Sequence, residues 1–202
     1  MGYKQEFQPL SSKDKITVII YRVGIAISTV IIVILSFRMA AVLLKFGMAV
    51  VGHSADYFIF GLYVSVGMSV FFIHLYIGKL KIYLENLYFV SLACLFILLY
   101  IGRGSLTDIV LLHKLNDLLL LMPLVGCLGF VAAKEAFCFK LIEGYLIAII
   151  MPFYLFLVSF NLLSPRSVSY GLVLIAVLYI IFTFRKVFMP IAFDIGDKSA
   201  YQ

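Results

Sequence analysis

Residues 141–163 read LIEGYLIAIIMPFYLFLVSFNLL, an apolar run whose one charged residue, Glu143, stands near its start. A helix rises about 1.5 Å per residue, so about 20 apolar residues match the ~30 Å hydrocarbon core of a bilayer. In that solvent the backbone must satisfy its own hydrogen bonds, which leaves a helix or a closed barrel. The run lacks the apolar and polar alternation of a barrel strand, and so predicts a membrane-spanning helix. Five further runs read the same way, at residues 16–37, 57–77, 84–101, 118–133 and 168–184.

Composition points to the same class. The chain is 64% hydrophobic and 13% charged, with a mean hydropathy of +1.15, outside the range of a soluble domain. Six runs and their connections use up the 202 residues. The expected fold is therefore all-α: one integral membrane domain over residues 1–202, a polytopic bundle of about six spans. Two edges stay open. Arg22 lies inside the first run and Arg38 just after it, so the apolar core also fits residues 23–44. Residues 39–51, apolar except for Lys45, are too short to span and either prolong the first helix or lie along the outer surface. The start, MGYKQEFQPLSSKDK, is polar and no small-residue cleavage site follows the first run, so that span is expected to be retained.

Basic residues set the orientation. With six spans, Lys4, Lys13, Lys15, Arg22, Lys79, Lys81, Lys134, Lys140, Arg185, Lys186 and Lys198 share one side, against Arg38, Lys45, Arg103, Lys114 and Arg166 on the other. The positive-inside rule then predicts both termini in the cytoplasm. The net charge of +6 sits beside spans, which suits the lipid bilayer and its anionic headgroups as partners rather than nucleic acid. Tryptophan is absent, so Tyr3, Tyr21, Tyr57, Tyr76, Tyr83, Tyr88, Tyr100, Tyr170 and Tyr179, mostly near span ends, are expected to form the interfacial belts. Cys94, Cys127 and Cys138 form no CxxC pair, which argues against a dithiol centre or a zinc knuckle.

Three features carry what chemistry there is. Lys134-Glu135-Ala-Phe-Cys138-Phe-Lys140-Leu-Ile-Glu143 falls in the expected turn between spans four and five. Its acids need Lys or Arg partners or headgroup water. In a helix Glu135 and Cys138 would stand at i, i+3, and a reactive thiolate at Cys138 would need the positive charge of Lys134 or Lys140. Next, HLYIGKLKIYL sets His74 before Lys79 and Lys81, a place suited to a metal ligand, a proton relay or a hydrogen bond across helices. Finally, FRKVFMPIAFDIGDKSAYQ is expected to fold back on the cytoplasmic face, where Asp194 and Asp197, flanked by Lys198, pair with the lysines of the two turns. The alternative is a pocket of Lys79, Lys81, Glu135, Asp194 and Asp197. His53 and His113 with Asp56, Asp108 and Asp117 make an outer metal site conceivable, without a recognised ligand spacing, and the metal and cofactor remain unknown.

Gly61, Ser65 and Ser69 recur every four residues and form a small-residue face for close helix packing, or for a homodimer or membrane complex; Gly144 and Ala148 repeat this more weakly. Pro123 and Pro152 fall within apolar runs and are expected to kink them.

HLYIGKLKIYL at residues 74–84, KEAFCF at 134–139 and DIGDKS at 194–199 resemble a family of uncharacterised bacterial integral membrane proteins of about 200 residues, the length of this chain, found notably in cyanobacteria. The chain is expected to be a multi-pass protein of the inner or plasma membrane, and the resemblance brings no reaction, ligand or partner. It implies that His74, Tyr76, Lys134, Glu135, Phe137, Cys138, Phe139, Asp194, Gly196, Asp197 and Lys198 match the family's motifs, with one departure at Ala136, where the pattern has glycine. Transport of a small solute or ion is the leading expectation. The alternatives are a structural or assembly partner of a membrane complex and, third, an intramembrane enzyme.

Overall fold

The computed structural model describes residues 11–43, 54–75, 77–102 and 115–195. They form α1 (Ser12–Leu43), α2 (Ser54–Phe72), α3 (Gly78–Ile101), a 3-10 turn (Leu115–Leu121) that runs into α4 (Met122–Phe139), α5 (Ile142–Ser159), α6 (Pro165–Val187) and a short α7 (Ala192–Ile195). Five of the described helices are long and apolar enough to cross a membrane, and the helix at Asp56–Phe72 is apolar but shorter. The result is an all-α, multi-pass membrane fold.

Local signals set several ends. Ser11 and Asp14 cap α1 reciprocally, each backbone amide donating to the other's side chain at 3.0 and 3.2 Å. Ser164 caps α6 by accepting from the Ser167 amide, and Pro165 occupies the first turn, where its missing N–H costs nothing. Lys140 takes a left-handed conformation (φ 55°), and its amide donates to Ala136 to end α4.

The helices pack as a ring in chain order, α1 on α2, α2 on α3, α3 on α4, α4 on α5 and α5 on α6, and α6 closes against α1. Outward positions such as Phe96, Tyr100, Ile149 and Phe153 are exposed, as lipid-facing residues should be.

Close approach in this ring depends on missing side chains. A Cβ at Gly24 would lie 2.5 Å from Ser69 Oγ and 2.7 Å from the Ser65 carbonyl, and one at Gly144 would lie 2.6 Å from the Ala132 carbonyl and 2.9 Å from Ala136 Cβ. Gly61, Ser65 and Ser69 thus face α1 of the same chain: Ser65 Oγ meets Ser28 Oγ at 2.8 Å, and a Cβ on Gly61 would meet Ile31. Ala136 fits because Gly144 opposite it has no side chain.

Several expectations need correction. Helix α1 runs through Arg38 to Leu43, so the start of the 39–51 segment prolongs the first helix; residues 44–51 lie outside the described residues. Pro123 stands in the first turn of α4 instead of kinking its middle, whereas Pro152 is inside α5. The stretch from Lys134 to Phe139 is the last turn and a half of α4, not a turn between helices; paired charges let a helix continue where bare ones would end in headgroup water. Tyr21, Tyr88 and Tyr179 are core residues rather than belt residues, and the Tyr88 hydroxyl donates to the Tyr63 carbonyl at 2.9 Å.

Gly24→Leu and Gly144→Leu should each lower unfolding stability in mixed micelles by about 1–3 kcal/mol, because a close helix crossing has to open. Gly126→Leu, whose added Cβ would meet only the Leu87 side chain within 3.3 Å, should do less.

Candidate functional site

At the end of the bundle where α1 begins and α4 and α6 finish, five charged groups converge out of water. Lys186 is fully buried, and its Nζ lies between Glu135 Oε2, as an ion pair without hydrogen-bond alignment, and Asp194 Oδ1, to which it donates. Phe139 lays its ring 4.1 Å from the same ammonium, a cation–π contact from the last residue of α4. The other oxygen of Glu135 accepts from the Tyr21 hydroxyl at 2.6 Å and from Lys134 Nζ at 2.7 Å.

Arg22, buried in α1, completes the group. Its Nε donates to Asp194 Oδ2 at 2.7 Å. The rest of its guanidinium donates to the carbonyls of Val187 at 3.0 Å, Met189, and Pro190 at 3.1 Å. Arg22 thereby satisfies carbonyls left open where α6 stops, and fixes the reversal that brings Asp194 back over the bundle.

The candidate residues separate into inner and outer sets. Lys134, Glu135 and Asp194 are brought together. Asp194 pairs with Arg22 and Lys186, not with Lys79 or Lys81. Lys79 is exposed and Lys81 approaches Glu85 at 4.0 Å, so among the described residues neither lysine pairs with Glu135 or Asp194. Cys138 is exposed while Glu135 is fully buried, although the two stand at i, i+3 on α4, and the thiol makes no part of the ion-pair network. Glu143 forms a separate pair, accepting from Arg185 at 2.8 and 2.9 Å. Asp197 and Lys198 lie outside the described residues, as do Tyr76, Gly196, His53, His113 and Asp108. Among the described residues, no three His, Cys, Asp or Glu side chains are grouped to hold a metal ion.

His74 stands after the end of α2, with Nε2 3.3 Å from Thr17 Oγ1. Its Nδ1 is buried without a hydrogen-bond partner among the described residues. It lines a cleft of about 190 Å³ together with Thr17, Phe72, Ile73, Leu75 and Lys81. Burial, and next the Lys134 charge, hold its pKa below the ordinary 6.5, against an upward pull from Asp194.

Sequence reasoning missed the three groups that organise the cluster: Tyr21, Arg22 and Lys186. The available signal was a charge set inside or at the inner edge of an apolar run. Tyr179, Phe182 and Lys186 also share one face of α6, at i, i+3 and i+7.

Fold and cluster together define a polytopic helical membrane protein with a buried ion-pair network at one end. The chain belongs to the uncharacterized integral membrane protein family DUF2301, whose profile matches residues 68–202. The match includes Lys134, Glu135, Lys186 and Asp194, while Tyr21 and Arg22 precede it. No curated protein and no solved structure matches the chain.

Lys186→Met leaves Glu135 Oε2 and Asp194 Oδ1 without the buried cation they share and should cost about 3–5 kcal/mol in an unfolding titration. Adding Asp194→Asn removes one of the two under-compensated acids, so the double variant should be less destabilised than the sum of the two singles. The unfolded chain takes up the His74 proton before the folded one does, so this contribution is present above pH 6.5 and is lost as pH falls through the depressed folded value. Melting curves below pH 6.5 should fall less steeply for His74→Gln than for the wild type.

Proposed function

We propose that the chain carries a small solute or ion across its membrane and that the buried charge cluster is the closed gate at its predicted cytoplasmic end. The observation that carries this reading is the position of the network: it ties α1, α4, α6 and the returning C-terminal segment together at one end. Buried ion pairs add little net stability over apolar packing, and ionisable groups held inside a membrane bundle are by default functional. A gate built from them opens by exchanging partners with water or cargo, which apolar packing does not offer. Below it, the hydroxyls of Ser28, Ser65 and Ser69 and the Thr29–Thr183 pair at 2.6 Å provide polar groups within the bundle.

One observation favours the alternative, a structural partner in a membrane complex. On the bundle axis, Ile25, Ser28, Ser69, Leu128, Tyr179 and Phe182 border a space of only about 10 Å³, room for no more than about one water. A carrier closed at this level and a purely structural bundle would look the same there.

Reconstitution in liposomes with a panel of ions and metabolites separates the two. The wild type should move one solute class above the lipid leak, and Asp194→Asn, with its gate loosened, should move the same class faster. Absence of flux from folded wild-type and variant proteins would replace the carrier reading with assembly.

A further inference from the structure

We infer that Arg22 and Lys186 form a binding site for a small oxyanion, a carboxylate or phosphate group, and that Asp194 occupies it as an internal stand-in. The inference rests on the geometry of the cluster and not on translocation.

The groups in direct contact are three cations, Arg22, Lys134 and Lys186, and two anions, Glu135 and Asp194. Glu135 is engaged by Lys134 and Tyr21 on one oxygen and by Lys186 on the other. The carboxylate of Asp194 is thus what stands between Arg22 and an unbalanced buried guanidinium. Were it to leave, the remaining groups would carry three positive charges against one negative, a strong demand for an anion in a place that water reaches poorly. A guanidinium fork beside an ammonium is also the donor set that suits carboxylate and phosphate oxygens.

The two sides of the site are held differently. Arg22 and Lys186 belong to α1 and α6, helices of the packed ring, and Lys186 is further fixed by Glu135 and by the Phe139 ring. Asp194 belongs to a strap, residues 188–195, that reverses at Pro190 and ends in the four-residue α7. Phe188 and Phe193 on this strap are 75% and 44% exposed, while Asp194 and Ile195 point inward at 6% and 2%. So short a helix has little stability of its own, and its position depends on the contacts that Asp194 and Ile195 make and on the Met189 and Pro190 carbonyls that Arg22 binds. An external oxyanion that meets the same donors removes one of those anchors, so ligand binding and strap release are linked, and each opposes the reverse step.

The test uses the full chain in nanodiscs of neutral lipid, with amide exchange and thermal unfolding as readouts. In the wild type, acetate or inorganic phosphate, but not chloride at equal ionic strength, should speed exchange in residues 188–195 saturably. In Asp194→Ala that exchange should already be fast, and the same anions should raise the melting temperature. The gain should disappear when Lys186→Met is added. Asp194→Asn, which keeps the side-chain shape, serves if the alanine variant does not fold. Nanodiscs with anionic lipid and no added phosphate distinguish the source: strap exchange that is fast there assigns the oxyanion to a headgroup, and exchange that stays slow assigns it to a soluble anion. Strap exchange indifferent to every anion, with no oxyanion-specific stabilisation of either Asp194 variant, would overturn the proposal. Flux is not read, so the result stands apart from that of the carrier experiment.

Discussion

The ammonium of Lys186, held between Glu135 and Asp194, is the contact on which this end of the molecule depends. Taking such a charge out of water costs several kcal/mol even after relaxation, and the cost is offset only if partners arrive in good geometry. Here they come from α4 and from the strap, with the ring of Phe139 over a third side. That requirement explains features with no other evident cause. Helix α4 continues past Lys134 because Glu135 and Phe139 must both reach Lys186, and it stops at once afterwards through the left-handed Lys140. The chain after α6 reverses so that Asp194 returns, and Arg22 accepts the cost of burial because it binds that reversal.

Away from the cluster, the interior is assembled by other means. Lipid removes most of the hydrophobic drive between helices, so contact rests on shape. Small residues let α1 meet α2 at Gly24 and Ser65, and α4 meet α5 at Ala132 and Gly144. Elsewhere a glycine makes room for a tyrosine ring: Gly67 faces Tyr88, and Gly171 faces Tyr154, whose hydroxyl donates to the Val168 carbonyl at 2.8 Å. Many serine and threonine hydroxyls return to a carbonyl one turn back, as Thr29 does to Ile25 and Ser36 to Ile32, so that buried polar atoms stay satisfied.

The helices were legible because length and hydropathy suffice to recognise a span, and each expected run falls largely within a helix of the bundle or, for the fourth, within α4 and the 3-10 turn before it. Their ends were less legible. A charge reads as a boundary unless its partner is known, and the partner of Glu135 on α6 is remote in sequence. Arg22 reads as a side chain reaching for headgroups for the same reason, since its ligands stand at residues 187–194. Lys134, Glu135 and Asp194 were recognisable as ionisable groups beside apolar runs. Their separation from Lys79, Lys81 and Cys138 was not: in lipid both faces of a helix are apolar, so hydropathy gives no inward direction. The tyrosines carry the same ambiguity, because an amphipathic ring suits the interface and also suits a core that offers its hydroxyl a partner.

Arg22 lies near the start of the chain, and the carboxylate that neutralises it is among the last residues described. A ribosome feeding this protein into a membrane delivers α1 long before Asp194 exists. Through that interval the guanidinium has to remain at headgroup level, as a long basic side chain near a helix end does. The counter-charge of Arg22 thus arrives only when the strap has been made, well after the helix that carries the guanidinium. A chain that stops before Asp194 would have to leave that guanidinium in water or bury it without its carboxylate.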